Sequence, residues 1–301
     1  MIRILFIRPE TATLPEIEAY VQYFNSHDNF KAVDSGQLDS YELGEYDIVW
    51  EFKGFGGVKV SSNQLLIHEY ASLSTGKLPR LKNLIKSFKN KTPDIRIYLN
   101  RNVEKGFHFL RKSPVIYRDM GVSDKFVGLS GLEEKEYEYI YVGEVSKSRG
   151  MDDFLEWFTV NINESLCLVG SYDESIYEIY KDNTNISFLG KIPYEDVPKT
   201  LLKARKGVNY MPDVYPYNIQ TSTKLIEYLT VGLDIVSTDY QWVQEFSKSE
   251  SINYGVIDLG GDSIKYKNNG IQNTFDSKNY LWHSIIDNSG IKNLIENLVN
   301  K

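Results

Sequence analysis

Short apolar runs alternate with amphipathic segments along the first part of the chain. The runs are typical of buried strands and lie at residues 2–8, 48–52, 65–67, 95–99 and 115–117. Two intervening segments have helical periodicity: one has the apolar face Ile17, Tyr20, Val21 and Phe24, and the other, which is basic, has Leu81, Leu84, Ile85 and Phe88. Strands and helices that alternate at this spacing predict a parallel sheet with right-handed crossovers.

The same pattern restarts after a polar, acid-rich stretch at residues 123–139, which we interpret as a linker. Strands are predicted at residues 139–142, 166–170, 186–189, 207–211 and 234–238, with an edge strand at 253–259. We therefore predict an N-terminal domain at residues 1–130 and a second domain at 131–275. A helical segment follows at 276–301, broken near Ser289-Gly290; its return to the first domain is left open.

Composition narrows the class of protein. The chain has 301 residues, of which 42% are hydrophobic and 36 are Tyr or Phe, so each half can bury a core. The lone Cys167 allows no disulfide within the chain and indicates a reducing compartment. The N-terminal apolar run is too short for a signal peptide, and no apolar run reaches the roughly 18 residues that span a bilayer. A cytoplasmic protein is expected.

Charge is unevenly distributed. A net charge of −7 argues against nucleic acid as a partner, yet residues 77–125 hold thirteen bases and four acids. Two interpretations remain open. The segment is either a solvated basic face or a surface that docks on anionic lipid or on a phosphate-bearing acceptor, which would place the protein peripherally on the inner face of the cell membrane.

The candidate chemistry centres on a helix start. Thr221, Ser222 and Thr223 lie where a helix begins, and unpaired N–H groups with the peptide dipole favour an anion there. Lys224 adds a positive charge in the first turn, and Glu227 follows on the same face. A carboxylate beside a phosphate site suits a ribose diol, so these residues predict a nucleotide-diphosphate site.

The stretch NYMPDVYPYNIQTSTKLIEYLTVGLDIVSTD resembles the donor-binding signature of retaining family 4 glycosyltransferases with the GT-B fold. The blocks YVGEVSKSRGMDDFL, LCLVGSYDE and ISFLGKIPYEDV extend the resemblance over the second half. It implies an α/β protein with two Rossmann-like, doubly wound parallel-sheet domains facing across a cleft. The nucleotide sugar would bind the second domain and the acceptor the first. Ile219 and Glu144 depart from the family pattern, where a glutamate and a base are usual.

The resemblance also implies roles for individual residues. The donor-binding candidates are Gly143, Lys147, Arg149, Ile192, Asn218, Gln220, Thr221, Ser222, Thr223, Lys224 and Glu227. His68, Lys224 and Glu227 are the catalytic candidates, and Arg118 and Asp119 are acceptor-side candidates. Simpler roles stay open: a surface cation for Arg149, helix capping for the Thr-Ser-Thr run, and packing for His68.

The predicted activity is metal-independent transfer of a sugar, with retention, from a nucleotide sugar to a saccharide or lipid-linked saccharide, in surface polysaccharide biosynthesis. No cofactor is expected, since a nucleotide sugar of the UDP or GDP type is the substrate. The chain has no D-x-D triplet, and its four histidines lack metal-ligand spacing. The alternatives are a sugar-nucleotide epimerase or hydrolase and a catalytically silent GT-B binding protein.

Overall fold

The computed structural model describes residues 1–9, 14–129, 134–266 and 275–299. The chain divides into two compact units, Met1–Gly121 with Asn279–Lys301, and Val122–Lys278. The domain boundary that we predict at residues 130 and 131 lies outside the described residues. Part of the predicted linker is ordered: Phe126 is buried and its ring packs against Tyr194 in the second unit.

In the first unit, described strands form a parallel sheet in the order β2-β1-β3-β4-β5-β6. The strands are β1 (Ile2–Ile7), β2 (Phe30–Asp34), β3 (Ile48–Phe52), β4 (Leu65–Tyr70), β5 (Ile95–Tyr98) and β6 (Val115–Tyr117). The helices are α1 (Pro15–Asn25), α2 (Pro79–Lys89), α3 (Arg101–Lys105), α9 (Trp282–Asn288) and α10 (Ile291–Val299). The hydrophobic pattern misses β2, because in FKAVD a lysine and an aspartate interrupt the apolar residues.

One face of the first sheet carries a core of aromatic and branched side chains. Phe6, Tyr20, Phe24 and Trp50 pack together with ring centroids 4.5–6.4 Å apart. The C-terminal helices close this core with Trp282, Ile286, Ile291 and Ile295, all buried. The C-terminal segment thus packs in the first unit, and it breaks at Ser289-Gly290 as its sequence predicts.

In the second unit, described strands form a sheet in the order β13-β12-β11-β10-β7-β8-β9. The strands are β7 (Tyr137–Val142), β8 (Leu166–Val169), β9 (Ile186–Gly190), β10 (Ala204–Asn209), β11 (Asp234–Thr238), β12 (Gly255–Ile257) and β13 (Lys265–Tyr266). The helices are α4 (Met151–Asn161), α5 (Glu174–Tyr180), α6 (Val197–Leu202), α7 (Thr223–Thr230) and α8 (Gln241–Glu250). Two parallel-sheet α/β units confirm the predicted fold class.

Two local predictions are wrong. The strand at residues 253–259 is not the edge strand, because β13 pairs antiparallel with β12. The strand predicted at residues 65–67 is too short, because β4 continues to Tyr70 and His68 pairs with Glu51 and Arg96 on the two neighbouring strands. Both errors have the same cause: pairing with a neighbouring strand decides where a strand lies and ends, and a hydrophobic run does not show it.

Candidate functional site

The second sheet reverses its strand order between β7 and β10, which lie side by side. Open parallel sheets bind ligands beyond the carboxyl ends of the strands at such a point. Close backbone packing shapes this end of the sheet: Gly170 has a φ of +138°, and a Cβ there would lie 2.0 Å from the carbonyl oxygen of Gly143. Only glycine fits that approach.

Helix α7 starts close to this reversal point. Ser222 is its N-cap residue, but the Ser222 hydroxyl caps no N–H group and instead donates to Oδ1 of Asn209 at 2.7 Å. The first N–H groups of the helix are therefore not satisfied by this side chain. A helix start in that condition favours an anion through its N–H groups and its dipole.

Asn209, at the end of β10, holds the helix start in place. Its amide nitrogen donates to the hydroxyls of Ser237 at 2.9 Å and Tyr240 at 3.0 Å. Asn209, Ser237 and Tyr240 are fully buried, and Ser222 is nearly so. A buried hydrogen-bond network in which every polar group is paired holds these side chains in one arrangement, because any other arrangement would leave a polar group unpaired. The network joins β10, β11 and the N-cap residues of α7 and α8.

Lys224 lies over strand β7. Its ammonium group is 4.2 Å from the centroid of the Tyr141 ring, and Nζ donates to the carbonyl oxygen of Tyr210 at 3.3 Å. Burial and the nearby charge of Arg149 lower the pKa of Lys224 to about 7, while Glu227 opposes the shift. An ammonium group held this way gains from a bound anion, since a negative charge would offset both effects.

Glu227 is 6% exposed and lies one turn after Lys224. The Tyr194 hydroxyl donates to its Oε1 at 2.7 Å. Burial raises the pKa of Glu227 to about 7, although the bond from Tyr194 and the charge of Lys224 lower it. Burial thus lowers the pKa of Lys224 and raises that of Glu227, and perturbed pairs of this kind are common in binding and catalytic sites.

The loop after β7 brings Arg149 to the same end of the sheet. Nε of Arg149 donates to Oε2 of Glu144 at 3.0 Å, and both side chains are partly exposed. Glu144 is thus paired with the guanidinium of Arg149, which is one of the predicted donor-binding residues. Lys147 has an exposed side chain, and its backbone N–H donates to Asp173. Gly143 takes a φ of +151° at the end of β7.

The loop before α7 contains unsatisfied polar atoms. Oδ1 of Asn218 and Nε2 of Gln220 are buried without a hydrogen-bond partner, and Nδ2 of Asn218 donates to Asp213. Buried polar atoms in folded proteins are nearly always paired, so these two are available for a ligand. The remaining donor candidates, Ile192, Thr221 and Thr223, are all partly exposed.

His68, in the first unit, is fully buried. Its Nε2 lies 3.2 Å from Oε2 of Glu51, and Nδ1 is 3.5 Å from the Tyr70 hydroxyl. Burial lowers the pKa of His68, and the bond to Glu51 opposes this shift. A neutral imidazole paired inside the sheet has the surroundings of a packing residue, and the catalytic role of His68 stays a prediction.

Arg118 is 1% exposed and is bound inside the first unit. It forms an ion pair with Glu69, lies 3.8 Å from Glu16 and donates to the Tyr20 hydroxyl at 3.1 Å. Asp119 differs, because it is partly exposed and lines a cavity of about 340 Å³. Of the two acceptor-side candidates, Asp119 is therefore the one with accessible surface.

Among the described residues, no group of three or more His, Cys, Asp and Glu side chains is arranged to hold a metal ion. None of the helices in the described ranges is long and apolar enough to cross a membrane.

Sequence reasoning predicts Lys224, Glu227 and Arg149, and the structure brings these three close together. It misses Asn209, Tyr141 and Tyr194, which come from other elements. Asn209 and Tyr141 are at or near strand ends, and Tyr194 is within the block ISFLGKIPYEDV, yet spacing along the chain does not reveal their contacts.

The sequence matches no protein-family model and no curated protein. Solved structures do match. AviGT4, a glycosyltransferase involved in avilamycin A biosynthesis, is similar over 100% of this chain and 98% of its own, with 14% identity and a TM-score of 0.63. Sucrose-phosphate synthase from Thermosynechococcus elongatus is similar over 86% and 87%, with 12% identity and a TM-score of 0.61.

Anabaena HepE in complex with UDP-glucose is similar over 98% of this chain and 91% of its own, with 11% identity and a TM-score of 0.59. The fold is also that of a putative UDP-N-acetylglucosamine 2-epimerase from Listeria monocytogenes, with 11% identity and a TM-score of 0.50 over 86% and 85%. These likenesses, with the two doubly wound sheets, show that the chain has the fold of the GT-B glycosyltransferases.

Proposed function

We propose that the chain is a glycosyltransferase whose second unit binds a nucleotide sugar of the UDP or GDP type. The acceptor, bound by the first unit, is a saccharide or a lipid-linked saccharide. The observation that carries the proposal is the position of Lys224. Its ammonium lies between the Tyr141 ring and the Tyr210 carbonyl at the reversal point of the second sheet. HepE, which shares the fold, was crystallised with UDP-glucose.

The diphosphate, the ribose and the sugar of the donor each have a counterpart in this site. The diphosphate is assigned to Lys224, Arg149 and the start of α7, where charge-assisted hydrogen bonds are strongest. The ribose diol is assigned to Glu227, whose Oε1 already accepts from Tyr194. Asn218 and Gln220 supply buried, unsatisfied polar atoms for the sugar. Lys147 supports the phosphate contact from its exposed position.

The proposed reaction is metal-independent and retains the anomeric configuration, as the sequence resemblance implies. The sugar–phosphate bond breaks, the acceptor oxygen attacks from the same face, and the departing phosphate takes the acceptor proton. Catalysis then comes from positioning and from stabilisation of the charge on the leaving diphosphate. We propose that the protein works in surface polysaccharide biosynthesis, as a cytoplasmic enzyme that contacts the membrane through residues 77–125.

Calorimetric titration with UDP and GDP, followed by transfer assays with a panel of nucleotide sugars, tests the proposal. Lys224→Ala and Glu227→Ala should each weaken donor binding or turnover by about 2–4 kcal/mol, because charged hydrogen bonds are lost. Lys181 and Glu178, an exposed pair at the C-terminal end of α5, provide matched alanine controls that should change nothing. Wild-type binding and turnover in both site variants would overturn the proposal.

Two observations support other activities. The shared fold of a putative epimerase favours a sugar-nucleotide epimerase or hydrolase, which would form product from the nucleotide sugar with no acceptor present. The pairing of Arg149 with Glu144 favours a catalytically silent binding protein, since the expected phosphate ligand is already engaged. Such a protein would bind neither UDP nor GDP in the titration.

A further inference from the structure

Helix α2 buries polar side chains and exposes apolar ones, which is the reverse of an ordinary amphipathic helix. Its buried residues are Asn83 and Ser87, which are polar. Asn83 accepts a hydrogen bond from the Ser74 N–H at 2.9 Å, and Ser87 accepts one from the His108 N–H at 2.8 Å. Three of its apolar side chains stay outside, since Leu81, Ile85 and Phe88 are 48%, 38% and 59% exposed, while Leu84 is partly buried.

The exposed side chains share one face, because they are spaced by four and three residues. A helix normally turns such a stripe towards a core, so an exposed stripe indicates a surface that binds a membrane or another protein. Leu110, 82% exposed, and Phe55, 57% exposed, belong to the same region. Leu110 borders a small cavity together with Phe88, and Lys86 lies 5.5 Å from the Phe55 ring.

Basic side chains share helix α2 with this apolar stripe. Helix α2 carries one arginine and three lysines and no acid. The enclosing segment, residues 77–125, holds thirteen bases and four acids, although the chain as a whole is acidic. An apolar stripe flanked by bases is the composition of helices that lie in a membrane interface, where anionic headgroups attract the bases and the acyl region takes the apolar side chains.

A cavity of about 150 Å³ lies at the end of this helix. Arg96 lines it and is 3% exposed; its Nη1 donates to the Arg111 carbonyl oxygen at 2.8 Å, and its guanidinium lies 4.2 Å from the Phe109 ring centroid. Nε of Arg96 is buried without a partner. No ion pair joins Arg96 to a carboxylate in the described part of the chain.

A buried guanidinium without an anionic partner is unfavourable unless something supplies the missing charge. The cavity beside it is large enough for a phosphate group, and arginine is well suited to bind the oxygens of phosphate. The rim of the same cavity carries the exposed Phe88 and Leu110. A phosphate joined to acyl chains would pair with the guanidinium of Arg96 and would also cover the apolar rim of the cavity.

We propose that α2 and Leu110 form a docking surface for an anionic phospholipid bilayer, with a lipid phosphate bound by Arg96 in the cavity. The inference deepens the membrane contact in the proposed function and rests on it. Docking would hold the first unit against the surface that carries lipid-linked acceptors. A soluble phosphate would use Arg96 alone and would leave the apolar stripe uncovered.

Vesicle co-sedimentation of the full chain tests this proposal. The protein should bind vesicles of equal parts phosphatidylcholine and phosphatidylglycerol and should not bind phosphatidylcholine alone, and added salt should weaken the binding. The double variant Phe88→Ser/Leu110→Ser should bind about tenfold more weakly or worse, because two apolar side chains no longer enter the bilayer. The matched control is Val160→Ser/Ile179→Ser on the second unit, where the residues are 77% and 66% exposed.

Arg96→Gln tests the cavity, with its thermal unfolding followed to check that the variant folds. It should also lose affinity for the anionic vesicles; if it fails to fold, the double surface variant still decides. Equal binding to both vesicle types, or an unaffected double variant, would overturn the proposal. The proposal would also be overturned if inorganic phosphate saturated the cavity while the protein did not bind vesicles.

UDP titration of the same samples keeps the two proposals apart. The double surface variant should bind UDP like the wild type, since both of its changes are in the first unit. Vesicle binding without UDP binding would remove the glycosyltransferase proposal and leave the docking surface. UDP binding without vesicle binding would remove the docking surface and leave the glycosyltransferase proposal.

Discussion

The hydroxyl of Tyr194 lies 2.7 Å from Oε1 of Glu227 and donates a hydrogen bond to it. The contact fixes one carboxylate oxygen of a side chain that is 6% exposed. In the described ranges, Oε2 of Glu227 accepts no hydrogen bond from the protein. Tyr194 is held in turn by the buried ring of Phe126. Glu227 therefore offers one oxygen in a fixed orientation, as recognition of a ribose diol requires.

Tyr194→Phe should weaken UDP binding by about 1–2 kcal/mol, because a hydrogen bond to a charged group is lost and Glu227 regains rotational freedom. Loss of this bond should also raise the pKa of Glu227, since the Tyr194 hydroxyl favours the ionised form. Calorimetric titration with UDP at pH 8 measures the first effect. Tyr172→Phe, on a partly exposed ring elsewhere in the unit, is the control. An unchanged dissociation constant in Tyr194→Phe would remove Glu227 from the ribose site.

Binding of UDP should take up a proton from solution at pH 8. Burial and the charge of Arg149 hold the pKa of Lys224 at about 7, so most molecules carry a neutral amine at this pH. A bound diphosphate favours the charged form and raises that pKa, so the site takes up a proton on binding. Titrations in two buffers with different ionisation enthalpies measure the uptake.

Lys224→Arg separates this effect from binding itself, because arginine stays charged at any pH that proteins tolerate. The variant should bind UDP with no proton uptake, whereas Lys181→Arg, at the exposed C-cap of α5, should behave like the wild type. Binding heats that do not depend on the buffer in the wild-type protein would show that Lys224 is already charged, or that it does not meet the diphosphate.

The sequence predicts the site best where its residues are neighbours on one element. Lys224 and Glu227 are three positions apart on one helix, so helical periodicity alone places them on one face. Tyr194 is 33 positions from Glu227 and reaches it only because the chain folds back. The partner of Arg149 is missed for a different reason: Glu144 sits in the same loop, and loop spacing does not determine which side chains meet.

Helix α2 shows a second limit of pattern analysis. The periodicity of Leu81, Ile85 and Phe88 correctly indicates an amphipathic helix, but periodicity does not state which side faces the core. That side is decided by Asn83 and Ser87, whose hydrogen bonds to the N–H groups of Ser74 and His108 tie the polar face inwards. A polar face can be buried when its partners are in place, and those partners come from distant parts of the chain.

Gly170→Ala should destabilise the protein by about 2–4 kcal/mol, because the new Cβ overlaps the Gly143 carbonyl oxygen and the backbone is in a region that favours glycine. Gly232→Ala is the matched control: its φ is +80°, but no atom lies within 4 Å of the added Cβ. The control should cost about 1 kcal/mol from backbone strain alone. Urea unfolding measures both, and equal losses would show that the close approach of the two strand ends has no energetic weight.

We expect Arg118 to stabilise the folded protein and not to bind the acceptor. Its guanidinium pairs with Glu69 and Glu16, which are 0% and 2% exposed. Arg118→Met would leave buried carboxylates without a cation and should cost about 3–5 kcal/mol in the free energy of unfolding. The surface variant Arg205→Met, from an ion pair whose arginine is 60% exposed, should cost less than about 1 kcal/mol.

A double variant identifies the cause of the Arg118 effect. Glu69→Gln keeps an oxygen for the Trp50 indole, which donates to Glu69 at 2.9 Å, and removes the charge that Arg118→Met leaves unpaired. Arg118→Met/Glu69→Gln should therefore unfold with a smaller loss than the sum of the two single variants, because only Glu16 is then left as a buried carboxylate without a cation. The contradicting outcome is an Arg118→Met variant that unfolds like the wild type but no longer transfers sugar to the acceptor. Arg118 would then act on the substrate, and its buried ion pairs would contribute little to the stability of the first unit.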